Sequence, residues 1–587
     1  MKKKILMLSL FIPILIFGLY NLFTFNKNEE NILSREITAL QTPKARYSPD
    51  EKVPITANLK EKVEGQLEVN YYHLGDLIDE ETVPIQQSKE ASWEWSPPSE
   101  DHKGYLVEVK LIQNDQVTEE ETIAVDVSSS WDKFPRYGYL GDFHSMSENE
   151  MQEVIDRLNR HHINGIQFYD WHDTHHQPLK MENGEPAETW LDIANREVSL
   201  ETIRNYIDRA HERNMNAMSY NLLYGALGQA EEDGVKTEWR LFKDQEQGEH
   251  DYHPLPEEWK SDVFLVDPGN EEWQQYINEE MENVFAHLPF NGWHIDQLGD
   301  RGDVYNVEGE QISLKESYLP FLYRASEQTG KEMVMNGVNQ YGQAEIAQSS
   351  VPFLYTEVWE PYNGYEDLKN IIDENYRFSN GEKNTVLAAY MNYDLADENG
   401  KFNTPGVLMT DAVIFASGGV HIELGEHLLS KEYFPHKNLQ ITETLETSLT
   451  NYYDFIVAYE NVLRDELFEK DVEVDARDQT NISHNPEQGA LWTFSKGNEN
   501  KTVVHLLNFE NASHLEWNDS NGEQNEPALK EDVPLTLNME EDVKRIWTAS
   551  PDIQGGKPID LEFYQENDEV SVQLPHLKYW SMLVVEH

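Results

Sequence analysis

The chain has 587 residues, and 46 basic against 108 acidic side chains give it a net charge of −62 with histidine neutral; it contains no cysteine. The missing thiols exclude disulfide frameworks, thiolate metal centres and cysteine nucleophiles. So negative a chain repels phosphate backbones and anionic lipid surfaces, which excludes nucleic acid as a partner and favours a neutral ligand, and its self-repulsion predicts adaptation to a salty or alkaline medium.

Lys2, Lys3 and Lys4 precede an apolar run from Ile5 to Phe25. This reads as an export signal or an uncleaved membrane anchor occupying residues 1–34 with its linker, so everything beyond it is expected outside the cell, secreted or held at the cell surface. Residues 35–130 alternate with the period of two of short strands, at Val53–Leu59, Gln66–His73, Ala91–Trp95, Leu106–Leu111 and Thr122–Val127. Six or seven such strands predict an immunoglobulin-like β-sandwich.

From 131 to 463 short apolar runs alternate with amphipathic stretches. Strands are expected at 137–143, 165–169, 217–222, 292–296, 333–336, 353–357, 386–390 and 420–423, with helices at 148–160, 200–213, 273–287, 315–329, 365–378 and 408–417. Eight strands over this length predict a central (β/α)8 TIM barrel. A doubly wound open sheet is the alternative, but no glycine-rich dinucleotide fingerprint follows any strand. Residues 464–587 return to alternation, for example at Thr502–Phe509 and Val570–Leu574, and are expected to form a carboxyl-terminal antiparallel β domain.

Active-site side chains of a barrel lie where its strands end. The residues there are Asp142, Tyr169, Asp170, His172, Tyr220, Asn221, His294, Asp296, Gln297, Asn336, Glu357, Trp359, Asn392 and Glu423. Aromatic faces stack on sugar rings while carboxylates and amides bind hydroxyls, so this inventory suits a carbohydrate cleft. The histidines at 172, 175 and 176 lack a zinc-binding spacing, and neither a metal nor any other cofactor is expected.

Asp296 and Glu357 end the fourth and sixth strands, which aims both at the barrel mouth. Acetal hydrolysis needs a proton donor and a group opposing the oxocarbenium charge, which paired carboxylates supply; roughly 5 to 5.5 Å apart, one can attack the anomeric carbon. An ionised Asp296 keeps Glu357 protonated as the acid. The competing reading is that these carboxylates cap the next helix or pair with Arg301.

The segments Asn291–Gly299, with Asp296, and Phe353–Trp359, with Glu357, resemble the nucleophile and acid/base segments of glycoside hydrolase family 66, as Tyr137–Phe143, Tyr169–His172 and Tyr220–Asn221 resemble other stretches of it. The resemblance implies retaining cleavage of the α-1,6-glucan dextran to isomaltooligosaccharides, with Asp296 as nucleophile, Glu357 as acid/base and Asp170 lining the sugar site nearest the bond cleaved. It also implies the three-part layout already read from the pattern. Cyclising members of the family carry a carbohydrate-binding module inserted near the end of the barrel, and the run from Asn392 to Tyr453 leaves no room for one. The expectation is therefore a monomeric exported endo-dextranase, with a cycloisomaltooligosaccharide glucanotransferase or a non-catalytic glucan-binding protein as alternatives.

Overall fold

The computed structural model describes residues 35–587, so the apolar segment expected to direct export lies outside the described residues. The amino-terminal part is one antiparallel sheet of β1 (Ile37–Gln41), β2 (Val53–His73), β3 (Asp76–Trp95), β4 (Lys103–Gln113) and β5 (Gln116–Val127). The expected count of six or seven short strands is corrected to five. Val53–Leu59 and Gln66–His73 are one strand, because β3 pairs with both halves across bulges near Asn58 and Val63. A bulge adds a residue and bends the strand without ending it, so the first half of β2 pairs with β1 and the second with β4. Alternate residues such as Val53, Ile55, Leu67, Val69, Val107 and Val125 meet in a single core.

Next come β6 (Tyr137–Leu140), α1 (Glu148–Arg160), β7 (Gly165–Phe168), α2 (Leu200–Glu212), β8 (Asn216–Leu222), α3 (Glu271–His287), β9 (Gly292–Asp296), α4 (Tyr318–Thr329), β10 (Glu332–Met335), α5 (Gln343–Ala347), β11 (Leu354–Glu357), α6 (Tyr365–Phe378), β12 (Thr385–Ala388), α7 (Thr404–Ala416), β13 (Gly419–His421) and α8 (Glu443–Ala458). Strands β6 to β10 form one parallel arc and β11 to β13 another. Two seams join them. Asn336 bridges to Tyr355, with the Gly337 N–H donating to the Tyr355 carbonyl at 2.9 Å, and the Tyr139 N–H donates to the Leu424 carbonyl at 3.0 Å.

Side-chain parity divides the ring into two environments. Tyr137, Tyr139, Met218, Val334, Tyr355, Val386, Ala388 and Val420 pack inside it, whereas Trp293, Ile295, Leu354 and Leu387 face the helices. Trp131 closes one end: a Cβ on Gly165 would lie 2.1 Å from its ring, so only glycine admits that indole. Helices start where local chemistry satisfies their free N–H groups. At α1, Ser147 and Glu150 form a reciprocal cap, and Met151, Ile155 and Leu158 provide the buried stripe. Helices α5 and α8 are not among the expected ones.

The carboxyl-terminal part holds two sheets, antiparallel except for the short parallel pairing of Ile482 and Ser483 with Leu491 and Trp492. One contains β14 (Leu491–Gly497), β15 (Lys501–Asn508), β17 (Arg545–Ala549) and β19 (Trp580–Glu586); the other contains β16 (Lys530–Asn538) and β18 (Glu569–Leu577). Val504, Leu506, Leu535, Leu574 and Leu583 share the core between them. The molecule is thus multidomain and β-rich. Among the described residues no helix is long and apolar enough to cross a membrane.

Candidate active site

Period-two parity carries Asp296 inward with His294 on β9 and Glu357 inward with Tyr355 on β11, at the end of the ring opposite Trp131. Both open into a cavity of about 500 Å³. Asn336, one residue past β10, lies between them. Its Nδ2 donates to Asp296 Oδ1 at 2.8 Å and to Glu357 Oε2 at 3.0 Å, so the two carboxylate oxygens are no further apart than those lengths laid end to end. The Glu357 N–H donates to Asn336 Oδ1 at 3.2 Å, which turns the amide nitrogen toward the acids.

The remaining carboxylate oxygens are held separately. The Tyr220 hydroxyl donates to Asp296 Oδ2 and the Tyr390 hydroxyl to Glu357 Oε1, each at 2.7 Å; the Gln297 N–H adds a donor to Asp296 Oδ1 at 2.8 Å. Burial pushes both carboxyls up. Glu357 reaches about 7, with the charge on Asp296 as the second cause. The rise at Asp296 is opposed by its bonds from Asn336, Tyr220 and Gln297. A charge on Asp296 thus favours the protonated form of Glu357. Neither acid pairs with Arg301: that guanidinium binds Asp251, at 3.1 and 2.5 Å.

Tyr169, Asp170, Tyr220, His294, Gln297, Asn336 and Trp359 also line the cavity. The Tyr169 ring stacks on Phe434, with centroids 4.2 Å apart, and Trp359 leans on Tyr390 at 5.2 Å. Asp170 has a left-handed backbone, φ 48°, and burial together with the charges of Asp192 and Asp296 raises it to about 8 against the pull of Arg196. His294, beneath the acids, contacts the Tyr137 hydroxyl at 3.1 Å and is pushed down by burial to about 3.

Five expected binding residues lie elsewhere. Asp142 sits away from the cavity with His144 at 2.7 Å. His172 and Asn221 are buried behind the lining, where Asn221 holds His175 through its Nδ1, at 3.0 Å. Asn392, φ 54°, turns away and donates to the Asp519 carbonyl at 2.7 Å, tying the ring to the carboxyl-terminal part. Glu423 lies below the ring's end with Asp411 and His421; ligand atoms of the three fall within 4.8 Å of one another, the one such set among the described residues that could hold a cation.

Residues the sequence reading did not select include Tyr390, Tyr433 and Phe434, all of which line the cavity. Tyr390 ends the expected strand 386–390, so its inward parity was the available signal. Tyr433 and Phe434 come from a long loop after β13, which carries no such periodicity.

The chain is 26% identical to a cycloisomaltooligosaccharide glucanotransferase of Niallia circulans, over 93% of this chain and 71% of the relative. It is 23% identical to a dextranase of Streptococcus salivarius, over 88% of this chain and 72% of the relative. Its fold is similar to a crystal structure of a Paenibacillus sp. cycloisomaltooligosaccharide glucanotransferase complexed with cycloisomaltoheptaose, with a TM-score of 0.87 and 24% identity, covering 94% of this chain and 99% of that one. The sequence profile of glycosyl hydrolase family 66 matches residues 42–584, so the chain belongs to that family.

Proposed function

We propose that this protein is an exported, retaining endo-α-1,6-glucanase that hydrolyses dextran on a (β/α)8 barrel flanked by two β domains. The observation that carries the reading is the single Asn336 amide nitrogen shared by Asp296 and Glu357. That sharing keeps the two acids within the reach a retaining mechanism needs, in which carboxyl groups roughly 5 to 5.5 Å apart let one attack while the other protonates. Asp296, ionised first, attacks the anomeric carbon as Glu357 gives its proton to the leaving oxygen. Forming the glycosyl ester removes the Asp296 charge, lowers the Glu357 pKa and leaves Glu357 ready to take a proton from water. Aromatic rings at Tyr169 and Trp359 offer stacking faces for glucosyl units, with Phe434 backing Tyr169.

Hydrolysis is preferred to cyclisation because the chain is short at β12. Only residues 389–403 separate β12 from α7, too few for an inserted module. The alignment to the glucanotransferase spans 704 positions, more than this chain's 587 residues, so that relative carries sequence this chain lacks. Transglycosylation is the second reading, favoured by the slightly higher identity to the glucanotransferase.

The test is the size and anomeric form of early products from dextran beside α-1,4- and β-linked glucans. Linear isomaltooligosaccharides of retained configuration are expected, and cyclic products would install the second reading. Asp296→Asn and Glu357→Gln should each lower the rate at least about a thousandfold. Azide should rescue Asp296→Gly with inverted product. Inert dextran with rapid cleavage of another polymer would remove the substrate assignment.

A further inference from the structure

Behind the cavity lies a buried cluster that the mechanism above does not use. His421 Nε2 is 2.7 Å from the Ala389 carbonyl oxygen, and a carbonyl only accepts, so Nε2 carries a hydrogen. His421 Nδ1 then faces Asp411 Oδ1 at 2.8 Å and Glu423 Oε2 at 3.6 Å. A proton must lie between Nδ1 and Asp411, on one or the other, because a bare lone pair against a carboxylate would repel. Asp411 Oδ2 and Glu423 Oε2 are buried without a hydrogen-bond partner. Glu423 Oε1 meets the Tyr453 hydroxyl at 3.1 Å. Burial raises both acids, Glu423 to about 8 with the Asp411 charge as second cause, while His421, the Tyr453 hydrogen bond and Arg157 oppose the rise at Glu423.

What this cluster holds is the end of β12. The Ala388 carbonyl accepts the Val358 N–H at 2.9 Å, on the side of β11, and the next carbonyl, Ala389, accepts from His421 on the side of β13. The residue after that is Tyr390, whose hydroxyl donates to Glu357. Two successive carbonyls anchored in opposite directions fix the peptide plane from which the Tyr390 side chain springs.

We propose that Asp411, His421 and Glu423 form a proton-held positioning unit that sets the Tyr390 hydroxyl against Glu357. The role given to Glu357 rests on the proposed function, but the geometry does not. Losing the Tyr390 bond removes a donor that favours ionised Glu357, so the Glu357 pKa rises. Losing the His421 bond to Ala389 acts through the same hydroxyl and produces the same rise.

The test titrates Glu357 in the full chain by carboxyl ¹³C NMR of glutamate-labelled protein, with Glu357→Gln to assign the signal, and needs no substrate. Tyr390→Phe is expected to raise the Glu357 pKa by about half a unit or more. His421→Leu should match it, His421→Gln, which keeps a donor, should restore most of it, and Tyr390→Phe/His421→Leu should add nothing further. On a turned-over glucan, His421→Leu should lower kcat about tenfold with KM within about twofold. Should His421→Leu not fold, His421→Phe, which also lacks a donor to the Ala389 carbonyl, serves in its place with the same expectation. Additive shifts, or a lower melting temperature with Glu357 unmoved, overturn the proposal, as does one equivalent of a divalent metal in the purified protein. A wild type whose Glu357 titrates as described but which cleaves no glucan overturns the proposed function instead.

Discussion

The Tyr220 hydroxyl holds Asp296 Oδ2 at 2.7 Å, on the carboxylate oxygen that Asn336 does not touch. Asp296 is thus gripped from β8 on one side and from β10 on the other, which fixes the plane of its carboxylate. Tyr220→Phe keeps the ring and removes the donor. The Asp296 pKa should rise, moving the acidic limb of the rate profile upward, and kcat should fall roughly tenfold, the cost of one charge-assisted bond. Initial rates between about pH 3 and 8 would read both effects.

The basic limb belongs to Glu357. The proposed mechanism needs it protonated, and burial with the Asp296 charge places it at about 7. The rate should therefore decline as pH rises through about 7, and replacing Asp296 by a neutral residue should lower the Glu357 pKa, because the charge that helps to raise it is gone. Carboxyl titration of Asp296→Asn measures this directly; an unmoved Glu357 would separate the two groups.

Asn336→Ala removes the amide that spans both acids. Each carboxylate loses a donor and their mutual repulsion is no longer bridged, so kcat should fall between about tenfold and a hundredfold with the fold retained. Circular dichroism beside the kinetics distinguishes this from unfolding. Asn336→Asp, which adds a third acid at the same place, should be worse.

Asp454 on α8 joins three elements. It accepts from Arg160 at 3.1 and 2.8 Å, from the Ala124 N–H of β5 at 2.9 Å, and contacts His162 at 2.7 Å. Arg160 and His162 outweigh its burial and hold its carboxyl below the usual range. A depressed folded-state pKa gives stability that is complete above the unfolded value near ~3.9 and is lost as pH falls through the folded one. Asp454→Asn should cost about 3 to 5 kcal/mol at neutral pH, with the deficit narrowing in acid, measured by urea unfolding at several pH values.

A net charge of −62 should make the melting temperature climb with NaCl, as screening within roughly 8 Å at physiological ionic strength relieves self-repulsion. A flat response between low and molar salt would remove the expectation of a salty habitat.

Alternation in the sequence was sufficient to put His294 with Asp296, and Tyr355 with Glu357, on one face of their strands, because successive side chains in a strand point to opposite sides whatever the rest of the chain does. The family segments around both acids were legible for the same reason: they are contiguous. Tertiary structure decided everything that depends on distant parts meeting. Asn392 follows a strand as Asn336 does, yet its left-handed backbone carries it to Asp519, and only the carboxyl-terminal part explains that turn. Tyr390 became a partner of Glu357, and Glu423 a partner of Asp411, only once the ring had closed. Strand β2 ran on through its bulges because β3 was there to pair with it. Parity is a property of neighbouring residues, whereas pairing belongs to the whole chain.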